Sequence, residues 1–241
     1  MSTQIRISAK ALGELALPNF CPRCFWIKLH LNNKLPFQIF PGIFSSIDSY
    51  TKNMVQTFFD TNGKFPNWLN GLGELKGYKS PPHYTRFNVL DHDNNVLLTG
   101  TPDGVFIRSD DSHIIIDYKT AKYTTTQDKL LPMYEVQLNS YAVIGERCGL
   151  NPVSDLALIY MEPITDRVAL FDKGNHREAG FAMGFKAYVH KIGLSPSSIQ
   201  PLLAKVRDVY EQDSLPVGCL GCNDCQSLDG MINMANASRN L

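Results

Sequence analysis

The 241-residue chain carries 23 Lys plus Arg against 23 Asp plus Glu, so no global field draws it to nucleic acid or to an anionic membrane. Any polyanion must be met by a local patch, for which Arg23, Lys28, Lys52, Lys119 and Lys122 are candidates. Hydrophobic content is sufficient for a real core, yet no apolar run approaches the roughly 20 residues that span a bilayer, and the first residues lack the pattern of a secretory signal; a cytoplasmic protein without membrane contact is expected.

In chain order, residues 4–31 read as a helix interrupted at Pro18 and Pro22, with "CPRC" placing Cys21 and Cys24 inside it. Pro41 and Gly42 open a second helix, whose stripe runs through Ile43, Ile47, Tyr50 or Thr51, Met54 and Phe58. Residues 60–83, rich in Gly, Pro and Asn, read as loop. Strand patterns follow at 83–90, 96–109 and 113–120, with turns at "DHDNN" and "DDS", predicting an antiparallel meander. The middle strand contains "GTPD", and a proline there implies an edge or a bulge. A helix follows with Pro132 in its first turn and Gly149 as its stop. Further strands are expected at 155–162 and 167–172 and helices at 175–192 and 196–212, ahead of the cysteine-rich "CLGCNDC". Mixed strands with helices on both sides predict an α/β or α+β fold.

The stretch "IIIDYK" ends an apolar strand on Asp117 and Lys119, which alternate onto one face. Centring the hairpin loop on Asp111 pairs position i with position 222 − i, setting Asp103 opposite Lys119 and Val105 opposite Asp117. Phe106, Ile114, Ile116 and Tyr118 then form the opposite, core-facing set. Adjacent carboxylates raise each other's pKa unless a cation intervenes; oxygen donors suit magnesium or manganese. Lys119 is then available to polarise water or hold developing charge, the parts needed for phosphodiester hydrolysis. Taken alone, "DYK" reads as an exposed ion pair at a strand terminus, worth little. The helix after it carries Gln137 and Tyr141 on one face, polar groups in a stripe with Tyr134, Leu138, Ile144 and Cys148.

In this order, "GTPD" (100–103), "DYK" (117–119) and "QLNSY" (137–141) resemble the PD-(D/E)XK nuclease superfamily, and more narrowly its RecB-like branch. The resemblance implies a restriction-endonuclease-like mixed central sheet flanked by helices, metal ligation by Asp103 and Asp117, catalysis by Lys119, and DNA positioning by Gln137 and Tyr141. Members of that branch commonly offer a His after a Gly in the first helix. Here "GIFSSIDSY" presents Asp48, either a further oxygen ligand or a solvated helical carboxylate.

Six cysteines in a reducing compartment argue against three disulfides. Cys148 lies on an apolar stripe and reads as core, leaving Cys21, Cys24, Cys219, Cys222 and Cys225 at the two ends of the chain. The C-P-R segment and the cysteine tail resemble iron–sulfur members of the nuclease group, the CRISPR-associated adaptation nucleases and bacterial recombination nucleases. That resemblance implies a four-iron four-sulfur cluster on Cys21, Cys219, Cys222 and Cys225. Two C-x-x-C pairs equally describe a structural zinc site on Cys21 and Cys24 with two of the tail three. Either way a single domain over 1–241 is expected, tied by a metal–cysteine knot of 20–25 and 217–226.

The leading expectation is a magnesium- or manganese-dependent deoxyribonuclease acting on single-stranded DNA or duplex ends. DNA repair, recombination or CRISPR-type processing would call on it, with a helicase or integrase as possible partner. The alternatives are a non-catalytic nucleic-acid-binding or scaffolding subunit keeping the fold and the knot, and a zinc-binding interaction domain whose acidic hairpin is coincidence.

Overall fold

The computed structural model describes residues 3–32, 35, 41–124 and 129–238. Its elements run β1 (Ile5–Ser8), α1 (Ala9–Gly13), α2 (Pro22–His30), α3 (Gly42–Asn62), β2 (Leu75–Lys79), β3 (Asn88–Asp91), β4 (Val96–Thr99), β5 (Gly104–Arg108) and β6 (His113–Lys119). They continue with α4 (Leu131–Arg147), β7 (Val153–Pro163), α5 (Arg167–Phe171), β8 (His176–Arg177), β9 (Gly180–Phe181), β10 (Phe185–Ile192), α6 (Ile199–Tyr210) and α7 (Asn223–Ser238). No described helix is long and apolar enough to cross a membrane.

The fold is mixed α/β. The larger sheet has the order β10-β7-β6-β5-β2, with β6 and β7 parallel and the remaining pairs antiparallel. Parallel neighbours need a crossover, and α4 supplies it. Both faces of β6 are covered, which is why it carries the unbroken isoleucine run 114–116. Ile115 joins a core with Val105, Leu156 and Leu158 beneath Leu138 and Ile144 of α4 and Leu203 and Val206 of α6. Ile114, Ile116 and Tyr118 join Phe106, Ala157 and Ile159 on the other face, under Val55 of α3 and Leu69 and Leu72. Leu156, Leu158 and Tyr160 of β7 thus face α4 while Ala157 and Ile159 face α3, the two-residue alternation of a strand.

Several sequence expectations are corrected. Residues 4–31 are not one helix: Ile5 and Ile7 are buried and alternate with Arg6 and Ser8 in β1, which pairs in parallel with β4. The Ser8 side chain accepts from the Ala11 N–H at 3.1 Å and starts α1 only there. The loop expected at 60–83 contains β2, an edge strand with an irregularity between Leu75 and Gly77. The run 167–172 is the short helix α5, whose N-cap Asp166 accepts from Ala169 N–H at 2.8 Å. Residues 176–192 form strands rather than a helix, because β10 zips along β7 from Phe185↔Pro163 to Ile192↔Leu156. A further helix, α7, begins within the cysteine-rich tail and includes Cys225. The stripe on α3 is also not a core face: Thr51 and Val55 are buried while Ile43, Tyr50, Met54 and Phe58 are exposed.

The expected meander divides between two sheets. β4 pairs with β1 and β3, whereas β5 pairs with β6 and β2. Gly-Thr-Pro-Asp makes the passage, and buried Pro102 has no N–H to continue a ladder. A Cβ added at Gly100 would stand 2.5 Å from Cε1 of Tyr141, so only glycine lets the α4 tyrosine lie against the crossing backbone. The hairpin register is 220 − i rather than 222 − i, as Val105↔Ile115 shows. Arg108 N–H donates to Ser112 O at 2.9 Å, and Asp111 takes a φ of 68°, closing a loop centred on Asp110 rather than on Asp111. The shift is by two residues, so every side chain keeps its predicted face. Gly100→Ala is expected to destabilise the protein by about 1–3 kcal/mol through overpacking, read as a lowered midpoint in chemical denaturation.

Candidate functional site

β5–β6 pairing begins at Gly104↔Ile116. One step beyond, the Asp103 carboxylate takes over the ladder and accepts the Tyr118 N–H at 2.8 Å. This fixes Asp103 beside the end of β6, where Asp117 is only 4% exposed. An isolated carboxylate so buried is strongly disfavoured, and Asp117 is not isolated. It is ion-paired with Lys119 and accepts from Nε2 of Gln137 at 3.0 Å. Gln137 also donates to the Tyr141 hydroxyl at 2.8 Å, and its Oε1 accepts from Lys119 Nζ at 3.3 Å. One amide on α4 therefore orients both the acid and the base at the end of β6. The Lys119 ammonium lies 4.0 Å from the centroid of the Tyr134 ring, a cation–π contact that holds it from the third side.

Asp103 is held by Lys52 of α3, whose Nζ lies 2.8 Å from its Oδ1 and 2.7 Å from Oδ2 of Asp48. Burial, and next the Asp117 charge, push Asp103 up to about 6, against the pull of Lys52 toward the charged form. Burial alone would lower the pKa of Lys52; the Asp103 charge, with hydrogen bonds to Asp103 and Asp48, outweighs it and raises that pKa, so the ammonium stays charged. Burial, then the Asp117 charge, likewise keep Tyr141 a neutral phenol well above its ordinary range.

These side chains line a cleft of about 410 Å³, and the structure brings all six predicted residues into it: Asp48, Asp103, Asp117, Lys119, Gln137 and Tyr141. Sequence reasoning missed two contributors, Tyr134 and the bridging role of Lys52. The second had a signal, since Lys52 lies four residues after Asp48 on one helix face. The expected basic patch is mostly committed elsewhere: Arg23 pairs with Asp229, Lys28 with Glu14, Lys52 with two aspartates and Lys119 with Asp117. Lys122 is exposed, three residues beyond Lys119.

The second constellation joins the chain ends. Cys21 caps α2, Cys24 lies in its first turn, and Cys225 lies in the first turn of α7. Sulfur separations are 3.5 Å for Cys21–Cys225, 3.6 Å for Cys24–Cys222 and 3.4 Å for Cys24–Cys225. Among the described residues these four form the group able to hold a metal, with ligand atoms within 4.8 Å of one another. This group contains Cys24, whereas the set implied by the iron–sulfur resemblance has Cys219 in its place. The Cys219 N–H instead donates to the Cys21 sulfur at 3.4 Å, and its own thiol points to Asn19 O at 3.9 Å. Burial opposes ionisation of Cys21, but N–H groups of Cys24 and Cys219 and the Cys225 and Cys222 thiols outweigh it and bring Cys21 down to about 6. Burial, then its sulfur neighbours, push Cys24 strongly up; the group favours one negative charge and resists a second unless a cation enters. Cys148 stays apart, packed on the main core with its thiol toward Arg86 O at 3.4 Å.

No family model matches the chain, and no curated protein matches it. Among solved structures, the one described as "Crystal structure of SSO0001" aligns with a TM-score of 0.39 at 12% identity, covering 90% of this chain and 81% of that one.

The grouping of the thiols predicts unequal cysteine variants. Cys24→Ala should lose bound metal and lower the unfolding midpoint by on the order of 10 °C, whereas Cys219→Ala should retain metal with a far smaller shift. Metal analysis and thermal denaturation of both variants read this directly, and equal losses would contradict the grouping.

Proposed function

We propose that the cleft at the end of β6 is the active site of a magnesium- or manganese-dependent deoxyribonuclease. The observation that carries the reading is the joint placement of Asp103, Asp117, Lys119, Gln137 and Tyr141 around one cleft, in the order and spacing of the RecB-like motifs. The residues fit the cation. Two crowded carboxylates, one with its pKa pushed up to about 6 by burial and by the other's charge, form an all-oxygen donor set that a hard divalent ion would relieve. Asp103 and Asp117 would hold it, and Asp48 would add a third oxygen once released from Lys52. When bound, the ion supplies positive charge at the phosphate and makes nearby water a stronger acid.

Lys119 would hold negative charge developing on the reacting phosphate, a contact worth on the order of 3 kcal/mol. Gln137 positions it, and Tyr141 positions Gln137. Phe44, at the rim of the cleft and 39% exposed, suits stacking against an unpaired base, which favours single-stranded DNA or frayed duplex ends. Repair, recombination or CRISPR-type DNA processing is the setting such a substrate implies, with a helicase or integrase to deliver it.

For the cysteine centre we favour one structural zinc ion over an iron–sulfur cluster. Tetrahedral Zn–S bonds of about 2.3 Å place sulfurs about 3.8 Å apart, close to the 3.4–3.6 Å separations here. A four-iron cluster interposes an iron before each thiolate and spreads the sulfurs much further. Colourless protein with one zinc per chain is expected; brown, iron-loaded protein would reverse the choice.

Cleavage of linear, circular and single-stranded DNA with and without manganese tests the activity. Lys119→Ala should cut about a hundredfold more slowly while binding DNA within a few-fold of the wild type, because one lysine is a small share of phosphate contacts. Gln137→Ala should fall between the two. Wild-type protein that binds DNA but never cuts it would favour the non-catalytic subunit, and undiminished cleavage by Lys119→Ala would contradict the assignment.

A further inference from the structure

Lys52 is where the candidate site differs most from a bare cage of acids. Its ammonium touches Oδ2 of Asp48 at 2.7 Å and Oδ1 of Asp103 at 2.8 Å, so one positive charge bridges two carboxylates from two different elements. The third carboxylate, Asp117, is paired by Lys119. Each acid therefore already touches a lysine of the same chain, and three carboxylates against two lysines leave one net negative charge before any ion enters. A divalent cation held by Asp103 would sit beside the Lys52 ammonium that now contacts the same carboxylate, and the two positive charges would repel each other.

We propose that Lys52 is a built-in counter-ion that competes with the divalent cation and must swing away when the cation binds. The side chain can do so: it is rooted on α3, 27% exposed, and the adjoining Asn53 and Met54 face solvent. Lys119 has no such route, being caged by Asp117, Gln137 and the Tyr134 ring. The two lysines thus divide the work, one staying in the cleft and the other setting how much metal is needed to load it. Without the ion, Lys52 keeps Asp48 and Asp103 from repelling each other and anchors α3 to the β5 end.

This proposal rests on the reading that the aspartates hold a divalent cation, and the test separates the two. Manganese affinity is measured without DNA, by the electron paramagnetic resonance of free ion, for wild type, Lys52→Gln, Lys52→Arg and Asp117→Asn. Lys52→Gln should bind manganese about tenfold more tightly or better, since a competing charge is gone, while Lys52→Arg should stay near the wild type. Wild-type binding that Asp117→Asn abolishes but Lys52→Gln leaves unchanged would overturn the counter-ion role while sparing the metal site. No manganese binding by any of the four would overturn both. A second readout needs no variant: acetylation of Lys52 in wild-type protein, mapped by mass spectrometry, should be slow without manganese and rise severalfold with it. Reactivity unaffected by the ion would likewise overturn the proposal.

Discussion

Asp117 lies near the end of a strand in which Ile114, Ile115, Ile116 and Tyr118 are buried on the two sheet faces, and its carboxylate is buried with them. A charge in that position requires partners, and breaking one such contact typically costs about 3–5 kcal/mol. Much of the local structure supplies them. Lys119 must follow two residues later on the same face, Gln137 must face inward from α4, and Tyr141 must stand one turn behind to hold the amide. Gly100 must lack a side chain so that Tyr141 fits, and the chain must change sheets there so that Asp103 can reach the Tyr118 N–H. A core composed only of apolar groups would need none of these. Their convergence on one cleft is what makes a chemical task the best explanation.

The cysteine centre plays a different part. It links residues 204 positions apart along the chain, and a clip closing so long a loop removes much of the unfolded chain's freedom. It also sets α2 against α7, where Arg23 and Asp229 add an ion pair at 2.5 Å. The donors of the two groups differ: soft sulfur in the cysteine group, hard oxygen in the cleft.

What was legible in the sequence follows the strength of local signals. β6, α4 and α6 carry strong patterns, proline and glycine boundaries or both, and all three appear close to expectation. The faces of the hairpin were legible because the strand period is two; its register was not, since the turn with left-handed Asp111 centres on Asp110, a choice no hydrophobic pattern encodes. β1 and β10 were lost to helix because each is decided by a neighbour distant in sequence, β4 for one and β7 for the other. The six cleft residues were found because chemistry restricts which side chains can stand together at a strand end. Lys52 was noticed only as a possible phosphate contact, because its double ion pair joins α3 to a residue 51 positions later. Spacing likewise could not choose Cys24 over Cys219, since both begin or extend a C-x-x-C pair.

The central claim, that the paired aspartates exist to hold a divalent cation, is tested most directly by locating the ion. Anomalous diffraction at the manganese edge from crystals grown with manganese should show a peak in contact with Asp103 and Asp117, with the Lys52 ammonium withdrawn. Crystals saturated with manganese but showing no peak there, and Lys52 still bridging Asp48 and Asp103, would contradict it.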